Sequence, residues 1–222
     1  STTSLHAGVV EIYVGRHAKC RYSTIQNWSK DVYNLVTKRA IVDNHGVMEW
    51  IDGNIGSSLT MKYPSCILKG DYSIGNSISI AYAKNGQILD AGAKMIHLGK
   101  HTHSNILSKS ISSNGGCANY RGKVKISKKA TNSIAKVKCD TIILDEQSSS
   151  NTYPINDLEN DTSYIEHEAT VSKVNAEKLF YLMSKGLTEE SAKELLIMGF
   201  ISDFKKSLPM EYAVELNRLL KE

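Results

Sequence analysis

The chain has 222 residues, 41% of them hydrophobic and 23% charged, enough for a sizeable core and too long for a small disulfide-stapled module. Its 27 Lys and Arg against 23 Asp and Glu leave a dispersed excess of +4, which does not mark a nucleic-acid-binding protein. Four widely spaced cysteines without CxxC or CxxxH spacing exclude a zinc ribbon; with no signal-peptide pattern and no eighteen-residue apolar run, they indicate free thiols in a soluble, cytoplasmic protein.

The chain opens on Ser1 in strand-like sequence, as a processed or trimmed form would. From Gly8 to about Tyr164 it is a series of short apolar or alternating runs bounded by Gly, Asn, Asp and Ser, the pattern of strands and turns. Val9 to Val14, Cys20 to Ile25, Leu35 to Val42, Val47 to Ile51, Leu59 to Tyr63 and Cys66 to Leu68 come first. Ile78 to Ala83, Ile88 to Ala91, Met95 to Leu98, Asn105 to Ser108, Lys123 to Ile126 and Thr141 to Leu144 follow. No amphipathic helix of ten residues interrupts them.

So many strands fit a sandwich, a barrel or a β-solenoid. Their shortness, Ser, Thr and Asn within as well as between them, only 3 Pro and few Asn-Gly hairpin signals favour the solenoid. In a parallel β-helix, small hydroxyl and amide side chains hydrogen-bond up the stack while Val, Ile and Leu fill the interior. Lys123, Lys125, Lys128 and Lys129 form a local cationic cluster, but Val124 and Ile126 alternate with its lysines, so it reads as a solvated strand face and not a nucleic-acid surface.

After Thr170 the pattern changes, dividing the chain into a β-helix core at 1–170 and a C-terminal α-helical subdomain at 171–222. Asn175 caps a helix through Lys185 with Gly186 as its stop; Thr188 caps a second, with Gly199 after it. Phe200 to Ser207 is a short third piece, and Pro209 opens a last helix whose Tyr212, Leu216, Leu219 and Leu220 share a face. The first two helices carry more apolar residues than one packing stripe needs, which leaves surface for a partner.

Walker A, GxGxxG, GxSxG and HExxH patterns are all missing, which removes the usual arguments for nucleotide binding, serine hydrolysis and zincin chemistry. The chemistry-bearing stretch is Tyr164-Ile165-Glu166-His167-Glu168-Ala169-Thr170: extended, it sends Glu166 and Glu168 to one face and His167 to the other. Cys20 and Cys139 lie in apolar or alternating text, as small buried hydrophobes would. Cys66, at the Tyr63-Pro64-Ser65 bend near Lys69, reads as a partly ionised nucleophile. Cys117, after Asn114-Gly115-Gly116 and near Arg121, is the most accessible thiol and the first ligand candidate. His97, His101 and His103 are a second choice, a metal row if their strand is continuous.

Several ordered motifs together resemble the SufB/SufD family, scaffold subunits of the SUF iron–sulfur cluster assembly machinery. They are Tyr22-Ser23-Thr24-Ile25-Gln26-Asn27-Trp28, Tyr33 to Arg39, Lys62-Tyr63-Pro64-Ser65-Cys66-Ile67-Leu68-Lys69-Gly70-Asp71, Lys94 to Lys100, Tyr120-Arg121-Gly122 and Glu166-His167-Glu168-Ala169-Thr170. The likeness extends through Leu208-Pro209-Met210-Glu211-Tyr212-Ala213. It implies a right-handed parallel β-helix, followed by helices that dock a SufC-type ABC ATPase. It also implies a β-helix dimer, with a second copy or a SufD-like chain, that builds a 2Fe-2S or 4Fe-4S cluster near the interface for delivery to apo-proteins.

By the same resemblance Cys66 is the sulfur-accepting cysteine, Arg39 is on the sulfur path, and Glu166, His167 and Glu168 are near the assembly site. A thiolate accepts a persulfide by exchange, and carboxylate or imidazole holds iron. The family carries a cysteine shortly before the Glu-His-Glu group; here that position reads as Leu158, which cannot ligate iron, and Cys117 is the first substitute. The alternative from another class is a β-helix carbohydrate-active enzyme using Glu166 and Glu168 as an acid/base pair. Few aromatics for stacking on sugars argue against it.

Overall fold

From Val32 to Val42 every second residue is buried while most of those between face solvent, as in a strand covered on one face. The computed structural model describes residues 3–174 and 176–219 and repeats this alternation through thirteen strands among them. The first sheet holds β1 (Ser4–Val14), β3 (Val32–Val42), β5 (Leu59–Lys62), β6 (Ser65–Leu68), β8 (Ile88–His97), β10 (Cys117–Ile126) and β12 (Thr152–Leu158). The second holds β2 (Lys19–Trp28), β4 (Val47–Gly56), β7 (Ile74–Lys84), β9 (His103–Ser113), β11 (Ile134–Ile143) and β13 (Tyr164–Lys173).

The chain passes from one sheet to the other and back, and all pairings between these strands are parallel. This is the expected parallel β-helix, of about six coils. The neighbour of Tyr33 is Leu59, 26 positions on, and that of Tyr120 is Thr152, 32 positions on. Coil length therefore drifts, which hides the repeat in the sequence. Strands are also longer than the apolar runs suggested, mostly ten or eleven residues. Coils on either side satisfy the backbone of polar stretches such as Lys109–Ser113, so pairing continues where hydrophobicity does not.

The inward sides of both sheets enclose the main core, including Ala40, Met48, Trp50, Cys66, Met95, Ile106, Tyr120, Val124, Val137 and Cys139. A second core lies outside the second sheet. There Ile51, Ile55, Ile80, Tyr82 and Ile111 meet Ile197, Ile201, Phe204, Leu208, Leu216 and Leu219 of the helical tail.

The tail consists of α1 (Ala176–Ser184), α2 (Glu189–Phe200), α3 (Ser202–Ser207) and α4 (Met210–Leu219). Thr188 caps α2 as expected, its Oγ1 accepting from the Ser191 amide at 3.2 Å. Gly186, with φ +94°, follows α1. Gly199 does not end α2, which continues to Phe200 because the Ile201 amide still reaches the Ile197 carbonyl at 3.0 Å. Asn175 and Leu220 lie outside the described residues. The expected division at residue 170 falls inside β13, which runs to Lys173. Among the described residues no helix is long and apolar enough to cross a membrane.

Candidate functional site

The interior of the first coils is charged. Lys38 and Lys62, 2% and 1% exposed, both point inward; their Nζ atoms donate to the same Asp52 Oδ1 at 2.6 and 2.9 Å. Thr24 Oγ1 donates to that oxygen as well. Lys62 also donates to Gln26 Oε1 at 2.9 Å, and Asn34 Nδ2 reaches the same atom at 3.1 Å. Two cations share one carboxylate, whose Oδ2 is buried without a partner. Burial pushes Lys62 down to about 8, partly opposed by Asp52. For Asp52, burial works upward but the Lys62 and Lys38 charges outweigh it and hold the carboxyl below its usual value. The sequence reading missed this cluster, although Lys38 is in phase with the buried Val36, Ala40 and Val42.

Cys66 lies in this interior. It is fully buried, beside Ala40 and Met95 in register, and burial pushes its thiol up to about 12. The expectation of a partly ionised thiol at the Pro-Ser bend is therefore corrected: Lys69 belongs to the turn beyond the strand, and the side chain points away from solvent. Arg39 faces outward, half exposed, 3.5 Å from Glu11; the inward cation of that strand is its neighbour Lys38.

Nor do the histidines form a row. His97 is buried between Thr102 Oγ1 at 2.7 Å and Ser104 Oγ at 2.9 Å, and burial with nearby His103 holds its imidazole down at about 4. His101 is in the turn between the strands, stacked on Tyr72 at 4.8 Å. The lysine cluster is partly neutralised, because Lys125 binds Asp157 at 2.9 Å and Glu159 at 2.6 Å.

At the C-terminal end the last coil is open. Glu166 and Glu168 face outward on β13 and His167 inward, the alternation expected. Glu166 lies 3.6 Å from Lys136 and Glu168 3.4 Å from Lys138, all about half exposed. Such an open, lysine-paired surface lacks the apolar pocket that a carboxylic general acid needs, against the carbohydrate-enzyme alternative. His167 Nδ1 meets Asn156 Oδ1 at 3.2 Å, while its Nε2 is buried without a partner. Leu158 stands beside Ile126 at this mouth, 44% exposed.

Cys117 opens β10, a full strand length from the corner where β11 and β13 begin, so the substitute ligand is on the order of 30 Å from the acidic triplet. Within one chain that ligand set does not assemble, and among the described residues no three His, Cys, Asp or Glu side chains cluster to hold a metal. The thiol nearest the acidic triplet in register is instead Cys139. Val137 pairs with His167 and Cys139 with Ala169, so the thiol and the imidazole occupy neighbouring inward columns on adjacent coils. The same register runs Thr24, Asp52, Ser79, Ser108, Cys139, a column of polar side chains from the charged cluster to this thiol. In sequence, Cys139 shows only as the inward partner of Val137.

Residues 1–200 match the family described as SUF system FeS cluster assembly, SufBD core domain. Similar proteins include the "Iron-sulfur cluster assembly SufBD family protein" of Staphylococcus epidermidis (strain ATCC 12228) and the "Iron-sulfur cluster assembly protein SufB" of Bacillus subtilis (strain 168). Each is 58% identical over 221 residues, covering 100% of this chain and 48% of the relative, so the chain spans about half their length. The chain belongs to the SufBD core family of SUF-system Fe–S cluster assembly proteins.

Proposed function

We propose that the chain is a non-catalytic scaffold on which iron and sulfide, its substrates, are joined at the C-terminal mouth of the β-helix. Cys139 and His167 are the inward donors, and a second β-helix, another copy or a SufD-like chain, closes the mouth and supplies the remaining ligands. The observation that carries this reading is the register that sets Cys139 beside the column of His167, whose Nε2 is buried and unpartnered. Thiolate and imidazole are suitable donors for iron. A closed two-fold pairing would double a sparse ligand set.

In this scheme Cys66 gives up its proton when a donor persulfide reaches it; its thiolate takes the outer sulfur, the donor leaves as a thiolate, and a two-electron reductant from outside the chain releases that sulfur as sulfide. Lys38 and Lys62 are the interior cations that favour the anionic forms; Arg39, Glu166 and Glu168 act from the outer surface. A SufC-type ABC ATPase docks on the helical tail and supplies the conformational work. Support for the dock comes from the exposure of Phe180, Tyr181 and Leu195, 74%, 60% and 52%, and from a groove of about 570 Å³ that Leu195, Leu196 and Phe200 help to line. The completed cluster passes to apo-proteins in the cytoplasm.

Anaerobic loading with iron and sulfide tests the assignment. Cys139→Ser and His167→Ala should each lose most of the thiolate-to-iron absorption, and Cys117→Ser should retain it. Full loading of Cys139→Ser would overturn the reading.

A further inference from the structure

Cations on the outer faces of the β-helix stand opposite acids on the next coil. Arg39 faces Glu11, Lys109 faces Asp140 and Lys125 faces Asp157 in direct register, at 3.5, 3.6 and 2.9 Å. Arg21, Lys136 and Lys138 are matched in the same way. Lys94 of β8 and Lys123 of β10 are not: they are each other's register partners, one strand spacing apart. The positions beyond them on either side, Ser65 and Ile155, carry no charge. Among the described residues neither lysine forms an ion pair.

Like charges directly opposite on neighbouring strands are destabilising. A single acid at either position would relieve this, as it does elsewhere on the solenoid, so the pair points to an anion from outside the chain. Arg121, two residues before Lys123, shares its face. Its Nε donates to Asp90 at 2.9 and 3.0 Å and its guanidinium lies 4.3 Å over the Tyr153 ring, which fixes a half-exposed cation beside the two lysines. Asp90 itself is buried and also accepts from the Tyr63 hydroxyl, so its charge is already matched. Tyr153 and Ile155, 42% and 52% exposed, add apolar surface next to the cations. The helical tail packs on the second sheet and not on this face.

We propose that the outer face of β8, β10 and β12 docks an acidic segment of a partner protein: its carboxylates sit over Lys94 and Lys123 and pair with Arg121, and its apolar side chains cover Tyr153 and Ile155. Charge complementarity selects the acid. With one face of Tyr153 taken by Arg121 and an isoleucine beside it, the patch offers no stacking platform for bases, whereas aromatic residues and Arg inside a charged rim are the make-up of protein interfaces. Because Arg121 is already held by Asp90 and Tyr153, pairing costs it little further freedom.

The test uses the full chain with three fluorescein-labelled probes followed by anisotropy: a peptide that alternates Glu with Leu, its counterpart with Lys for Glu, and oligouridylate. The Glu peptide should bind, Lys94→Glu/Lys123→Glu should weaken it about tenfold or more, and the same variant should take the Lys peptide instead. Lys30→Glu/Lys185→Glu, an equal change of net charge at exposed lysines elsewhere, should leave Glu-peptide binding unchanged. Should the double variant fold poorly, Lys94→Glu alone places opposite charges in register: it should raise the melting temperature by about 1–3 °C while still weakening the Glu peptide. No binding of the Glu peptide, or equal weakening by both charge reversals, overturns the inference. Tighter binding of oligouridylate than of the Glu peptide at this face overturns the choice of partner.

Discussion

Lys62 is almost fully buried, and its ammonium group donates to a carboxylate that it shares with Lys38. Its folded value of about 8 lies below the ordinary 10.5, so between those values the unfolded chain binds more protons than the folded one. Stability from this group therefore rises as pH increases from about 8 toward 10.5, and below 8 its cost is constant. Asp52, also lowered on folding, has the same sense in a lower pH window: it stabilises above its unfolded value of 3.8 and loses that contribution as pH falls through its lower folded value. Lys62→Met should remove the rise above pH 8 in urea midpoints; a slope equal to that of the unmodified chain would contradict the assignment. Asp52→Asn leaves two buried ammonium groups without a counter-charge and should cost about 3–5 kcal/mol in urea unfolding at pH 7.

In the β-helix as a set of elements, each coil's side chains lie against the same positions of the next. At one turn His17, His45, Tyr72 and His101 stack at 4.8 to 5.0 Å with planes within 7°, all with φ between +54° and +57°. That spacing matches the distance between paired strands, so the ring column follows from the coil repeat. His101 is thus part of a turn ladder, which explains why it does not join His97 in a metal row.

Close stacking also limits substitution. A Cβ at Gly92 of β8 would collide with the Arg121 carbonyl of β10, which is backbone and has no rotamer to yield. Gly92→Ala should cost about 1–3 kcal/mol or more, seen in thermal unfolding, with β8 and β10 amides losing hydrogen-exchange protection first. A neutral result would mean that the coils can separate locally.

Over the whole molecule, the tail has one apolar side buried against the second sheet and another exposed, to which the proposed dock belongs. Phe204 is fully buried against the second sheet, whereas Leu195 and Phe180 face solvent. Phe204→Ala should cost about 3–5 kcal/mol and loosen the tail from the sheet. Leu195→Asp and Phe180→Asp should leave the melting temperature within a few degrees yet abolish co-purification with a SufC-type ATPase. Retained binding would place the dock elsewhere.

Composition, alternation and turn residues favoured a β-solenoid followed by helices over a sandwich or barrel, because period-two burial and Gly, Asn or Asp punctuation are local properties of the chain; the family resemblance supplied the parallel β-helix. The outward direction of Glu166 and Glu168 and the inward direction of His167 were legible for the same reason. What only the tertiary structure decided is which distant residues share a column. Registers of 26 to 32 residues placed Cys139 under the mouth, Asp52 between two lysines and Cys117 at the far corner. Coil length varies with each turn, so no spacing along the chain encodes those neighbours; they follow from hydrogen-bonded strand pairing summed over several coils.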